Sequence, residues 1–146
     1  MIDRKDTILV LDDEPEFLDW LEDFLLAKGY RVLFVTNIAE ALKEVRNYRY
    51  RAFIVDLNVP ASGEYLTAIE KKGPIYSQYH GLYAAEVARN AGYRDRQVVV
   101  YSVHAVPAVK DVTDRLFVAY LAKGRPHIFK EQVMDILSYD PSDKQA

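Results

Sequence analysis

Short apolar runs alternate along the chain with segments whose apolar positions recur every three or four residues. The runs suit strands buried on both faces and the recurrences suit amphipathic helices, so their alternation predicts an α/β fold. Residues 7–11, 31–36, 52–56, 97–101 and 118–121 read as five strands. Pro15 and Gly29 bracket a first helix with Phe17, Trp20, Leu21, Phe24, Leu25 and Lys28 along one stripe. Asn37 and Glu40 form a capping pair for a second helix, which buries Ile38, Ala41, Leu42 and Val45. A last helix starts near Pro126 and carries Phe129, Val133, Ile136 and Leu137 inward, leaving residues 139–146 as a polar, flexible tail.

One segment breaks this rhythm. Between the third strand and a helix beginning near Gly81, the chain runs on far longer than a simple connection requires. Ser62 is placed to cap a short helix over residues 64–72, with Leu66 and Ile69 on one side. Lys71 and Lys72 would sit at its C-terminal end, and Gly73 and Pro74 would stop it. Residues 75–80 are aromatic and show no clear period. Tyr65, Tyr76, Tyr79 and Tyr83 either form a recognition surface or pack the insertion onto the domain.

The length, 146 residues, fits one domain. With no cysteine, disulfides and thiolate metal sites are excluded. The charged N-terminus is too short for a signal peptide, and no apolar run approaches the ~18 residues of a membrane span. A net charge of −3 argues against non-specific nucleic-acid binding. A cytoplasmic protein without membrane insertion or nucleic-acid partner is expected.

Right-handed crossovers turn such a series into a doubly wound sheet, whose functional groups gather at the carboxyl ends of the strands. Asp12 and Asp13 end the first strand, Asp56 the third, Ser102 the fourth and Lys123 the fifth. Three carboxylates at one edge call for a cation, and an all-oxygen site suits magnesium. A carboxylate can also attack phosphorus to form an aspartyl phosphate, a reaction that depends on positioning and charge neutralisation. Each residue alone would be ordinary: a cap, a turn or a solvated lysine. Their order and shared edge carry the inference. His80, His104 and His127 show no ligand spacing and are expected in surface or packing roles.

Residues 8–14, Ile-Leu-Val-Leu-Asp-Asp-Glu, resemble the opening of bacterial response-regulator receiver domains. Residues 55–60, Val-Asp-Leu-Asn-Val-Pro, resemble their phosphoacceptor strand and turn; residues 99–102 and 119–123 resemble their fourth and fifth strands. The resemblance spans roughly residues 5–138. It implies a flavodoxin-like (βα)5 domain over residues 1–138, with a parallel sheet of order 2-1-3-4-5 and an insertion at about 61–80. It also implies that Asp56 accepts a phosphoryl group from a histidine kinase or phosphotransfer protein. Magnesium would be bound by Asp13, Asp56 and the Asn58 backbone carbonyl, with Asp12 acting through the ion's water shell. Ser102 and Lys123 would grip the phosphoryl oxygens, and Tyr120 would be the switch residue. The chain would then be a signalling protein rather than an enzyme. With no output domain following, it would act through a downstream effector protein or a phosphorelay.

Four departures stand out. The glycine matching the family's is Gly81, beyond the insertion; Gly124 stands where proline usually follows the lysine. The stretch from Ser102 to Lys123 is short, so the helix within it is expected to be abbreviated. Val103 replaces a small residue and would restrict a hydrolytic water. Two other functions compete: a pseudo-receiver that binds protein without phosphorylation, and a haloacid-dehalogenase-type phosphohydrolase, whose first strand has Asp-x-Asp rather than the adjacent acids found here.

Overall fold

The apolar runs assemble into one parallel sheet in the computed structural model, which describes residues 2–103, 106–122 and 126–140, apart from the side chains of Phe17 and Asp95. The strands are β1 (Ile2–Leu11), β2 (Arg31–Val35), β3 (Tyr48–Asp56), β4 (Val98–Ser102) and β5 (Ala119–Ala122). Their order is β2-β1-β3-β4-β5. The helices are α1 (Asp19–Ala27), entered through a 3-10 turn at Pro15–Leu18, α2 (Ile38–Asn47), α3 (Gly63–Lys71), α4 (Pro74–Gln78), α5 (Gly81–Asn90), α6 (Pro107–Leu116) and α7 (Pro126–Leu137). No helix among the described residues is long and apolar enough to cross a membrane.

Strand alternation divides the core in two. Ile8, Val10, Ala52, Ile54, Val99 and Tyr101 face Leu21 and Leu25 of α1 and Phe129 and Val133 of α7. Leu9, Leu11, Phe53, Val55, Val98 and Val100 face α2, α5 and α6 through Leu42, Val45, Ala84, Ala88, Val109 and Val112. Each large apolar side chain so buried contributes about 1.5–3 kcal/mol. The central strands are apolar on both sides for this reason.

Local signals largely hold. The Asn37 side chain accepts from the Glu40 N–H at 3.0 Å, and the Glu40 carboxylate reaches back to the Thr36 N–H at 3.1 Å. Ser62 stands at the N-cap of α3, but its side chain makes no capping hydrogen bond. Lys28 does not extend the apolar stripe: it is exposed, with its ammonium 5.7 Å from the Phe24 ring. The helix expected to be abbreviated, α6, has ten residues, as do α2 and α5. Of the tail, residues 141–146 lie outside the described residues. Tyr139 lies under the Arg96 guanidinium, 5.3 Å away, and Asp140 is 3.8 Å from Arg51.

The insertion is folded. The aromatic stretch that lacked a period contains α4. Ile69 is fully buried, and Tyr65, Ile75, Tyr76, Tyr79 and Tyr83 lie half-buried against the core beneath α2 and α5. Lys72 bridges to Glu86 of α5 at 2.8 Å. Of the two readings of these tyrosines, packing is the one with observed contacts behind it.

β1 and β3 start earlier than their apolar runs. Residues 2–4 of β1 pair with residues 48–50 of β3, ahead of a register irregularity between Arg4 and Ile8. These residues of β1 are exposed, and backbone pairing alone leaves no hydrophobic signature. On its other side this early part of β3 lies before the first β4 pairing, at Phe53 and Val98. Side chains take over there. The Tyr93 hydroxyl accepts from the Tyr50 N–H at 2.9 Å and donates to the Tyr48 carbonyl at 2.6 Å; Gln97 Nε2 donates to the Tyr50 carbonyl at 2.7 Å. Burial pushes the Tyr93 phenol up to about 12, so at neutral pH it keeps the proton it donates. Tyr93→Phe strips two backbone groups of this partner. It should lower unfolding free energy by about 1–3 kcal/mol in urea titrations; an unchanged midpoint would show that the hydroxyl is dispensable.

Candidate functional site

Each acidic residue is placed by the strand it ends. β1 stops at Leu11, but the Asp12 N–H still bonds the Val35 carbonyl at 3.0 Å, so the sheet's geometry carries one residue further. Asp12 Oδ1 then accepts from the Glu14 N–H at 2.8 Å, turning the chain toward Pro15. Its Oδ2 accepts from the Tyr101 hydroxyl. Asp12 is 3% exposed and Asp13 is exposed. Asp56 ends β3, is 6% exposed, and its Oδ1 accepts from the Asn58 N–H at 3.3 Å. One oxygen from each of Asp12, Asp13 and Asp56 lies within 4.8 Å of the others. Three like charges so close repel one another, and a hard divalent cation with oxygen ligands fits the donor set.

The sheet register brings Ser102 to the same edge. Asp56 pairs with Tyr101, and Ser102, 6% exposed, pairs with Ala122. Lys123, Gly124 and His104 lie outside the described residues. Tyr120 is half-buried, opposite Val100, against the core beneath α2, α5 and α6. Asn58 and Val103 are exposed next to the strand ends. His80 Nδ1 lies 2.9 Å from the Val59 carbonyl, a packing contact, and His127 is exposed at the start of α7.

Gly81 explains how an insertion can sit beside this site without displacing it. Its N–H donates to the Leu57 carbonyl at 3.0 Å. A Cβ there would lie 2.2 Å from the Asp56 carbonyl oxygen and 2.9 Å from Leu57 Cα. The chain therefore leaves after Pro60, folds α3 and α4, and returns onto the same two residues.

Sequence reasoning missed Tyr101, which alternation marks only as core. Burial, and secondarily the Asp12 charge, push its phenol far above the ordinary range, so it is neutral and donates to Asp12. The signal available was a hydroxyl-bearing ring at the end of a run of valines.

No protein-family model and no curated protein sequence matches the chain. Solved structures do. A response-regulator receiver domain protein from Methanospirillum hungatei is 19% identical, with 92% of this chain and 95% of that one covered and a TM-score of 0.69. The fold is that of a response-regulator receiver domain. The receiver domain of a Pseudomonas aeruginosa sensor histidine kinase, with magnesium coordinated in its active-site cleft, is 20% identical over 96% of this chain and 100% of its own, with a TM-score of 0.65. A Burkholderia pseudomallei response regulator holding a phosphorylated aspartic acid and calcium is 23% identical, with 96% and 71% covered and a TM-score of 0.68.

Gly81→Ala tests the close approach to the end of β3. Helix propensity alone would make alanine the more stable residue in a helix. The clash with backbone atoms should instead cost about 1–3 kcal/mol in urea denaturation. A variant more stable than wild type would refute the contact.

Proposed function

We propose that the protein is a phosphorylation-activated switch of a two-component or phosphorelay system, with Asp56 as phosphoacceptor. The supporting observation is the cluster of Asp12, Asp13 and Asp56 oxygens at the carboxyl edge of a receiver sheet. An Asp56 carboxylate oxygen attacks phosphorus as the P–N bond of a donor phosphohistidine breaks, and the departing imidazole nitrogen keeps the electron pair and takes a proton. Asp13, Asp56 and the Asn58 carbonyl would hold magnesium, with Asp12 acting through its water shell, and the bound ion would supply positive charge toward the phosphoryl oxygens. Ser102 and Lys123 hold those oxygens, and Tyr120 follows the Ser102 hydroxyl inward. That movement alters the surface of α6, β5 and α7, which an effector protein reads. The chain signals in the cytoplasm through protein partners, with neither substrate turnover nor nucleic-acid binding of its own.

Asp56→Asn replaces the nucleophile with an amide and removes a carboxylate from the metal site. Incubated with acetyl phosphate and magnesium, the wild type should gain one phosphoryl group by intact mass, and the variant none. A wild type that is never labelled would favour the pseudo-receiver reading, and sustained hydrolysis of phosphomonoesters the phosphohydrolase one.

The insertion bears on the donor rather than on the chemistry. It leaves after Pro60 and returns at Gly81, so its base flanks Asp56 while its body packs against α5. Replacing residues 61–80 with a short turn should leave acetyl-phosphate labelling largely intact and change the rate of transfer from the cognate kinase. Equal kinase rates for the two proteins would reduce the insertion to packing.

A further inference from the structure

We propose that the amino end of the sheet carries a binding site for one small oxyanion, such as inorganic phosphate, held by Arg49, Arg51 and Lys5. The site lies at the edge opposite Asp56 and does not depend on the proposed phosphorylation. Arg49 and Arg51 stand two apart near the start of β3, so their side chains leave the same face of the strand. Lys5 comes from the early part of β1 alongside. All three line one cavity of about 100 Å3. Backbone carbonyls hold each guanidinium in place. Arg49 Nη2 donates to the Ala91 carbonyl at 3.4 Å, and a Cβ on Gly92 would lie 2.5 Å from it. Arg51 Nη2 donates to the Leu137 carbonyl at 2.5 Å and to that of Tyr139 at 3.5 Å. The Nε of each is buried and finds no acceptor among the described residues. No carboxylate among those residues forms an ion pair with Arg49, and Arg51 has Asp140 at 3.8 Å. A buried donor without an acceptor is costly, the more so on a cation, and an anion supplies what both arginines lack.

Charge and size narrow the ligand. Three cations line the cavity against two acids, Asp3 and Asp140, so its wall is net positive. Asp140 is already turned to Arg51, and Asp3 is exposed. The volume exceeds the ~30 Å3 share of one liquid water several-fold, which is room for an ion of five heavy atoms. It falls well short of the roughly 300 Å3 at which pockets for larger organic ligands begin, so a nucleotide is excluded. An oxyanion also presents acceptors in several directions, so two guanidinium groups and an ammonium can hold it together through charge-assisted hydrogen bonds. Bound there, it ties the amino ends of β1 and β3 to the chain after α7, which the Arg51 contacts already bring to this edge.

The test is urea unfolding of the full chain, without magnesium, as inorganic phosphate replaces chloride at constant ionic strength. The unfolding equilibrium constant should fall saturably, about tenfold when phosphate stands at about ten times its dissociation constant. Sulfate, which has the same shape, should act likewise. Arg49→Gln should abolish the saturable effect, and Lys5→Gln, a change at an exposed residue, should raise the dissociation constant. Should Arg49→Gln not fold, Lys5→Gln decides alone. Phosphate and sulfate also stabilise proteins by exclusion from their surfaces, an effect that neither saturates nor depends on these residues. Stabilisation of that kind only, or a saturable effect that the folded variants retain in full, overturns the site.

Discussion

Holding Asp12, Asp13 and Asp56 together against their mutual repulsion is the constraint that shapes this molecule. At about 4 Å and an effective dielectric near 20, a pair of unit charges interacts by roughly 4 kcal/mol, enough to push loosely held side chains apart. The carboxylates stay because their backbones cannot move. β1 and β3 are adjacent, buried on both faces by two separate cores, and both end at this edge. The same rigidity leaves three carboxylate oxygens within 4.8 Å of one another, a donor set that a compact cation fits.

Gly81 extends this constraint into the chain's topology. The helix after β3 returns against that strand, and it begins with a residue lacking a Cβ, hydrogen-bonded to Leu57. Once that contact is satisfied, the length of chain before it matters little, because loop-closure entropy grows only slowly with length. Burial of Ile69 and partial burial of five further aromatic and aliphatic residues offsets the ordering of α3 and α4. An insertion beside Asp56 is therefore compatible with an undisturbed β3.

The parts of the structure that the sequence declares are those recorded in side-chain chemistry. The five apolar runs, the Asn37–Glu40 cap and the Pro126 start of α7 each carry a local signature, and the strand-end acids follow from them, whereas the sheet order came from the family resemblance. The early halves of β1 and β3 were silent, since their pairing is made by backbone and by Tyr93 and Gln97 from a distant segment. α4 was silent because five residues starting at Pro74 are too few to show a period. Tyr101 was silent for another reason: strand alternation assigns it correctly to the core, but its hydroxyl extends past that core to Asp12. Lys123, the most distinctive cation of the sequence pattern, lies outside the described residues.

Tyr101 and Tyr120 lie on opposite sides of the sheet and are buried to different degrees. Val100 pairs with Tyr120, so the two tyrosines face opposite sides of the sheet. Tyr101 is sealed among Phe129, Leu121 and the α1–α7 core, with its hydroxyl committed to an acid. Tyr120 lies half-buried at the edge of the other core. Moving a sealed ring would open a cavity, at a cost of several kcal/mol; turning a rim ring exchanges one partial contact for another. A ligand shifts a conformational equilibrium only by its differential affinity for the two states. If the free energy available is that of one phosphoryl group and its ion, the responsive residue must be the one whose displacement costs least. The proposed switch therefore belongs on the Tyr120 side, and the opposite side is left to hold the acids still while the switch moves.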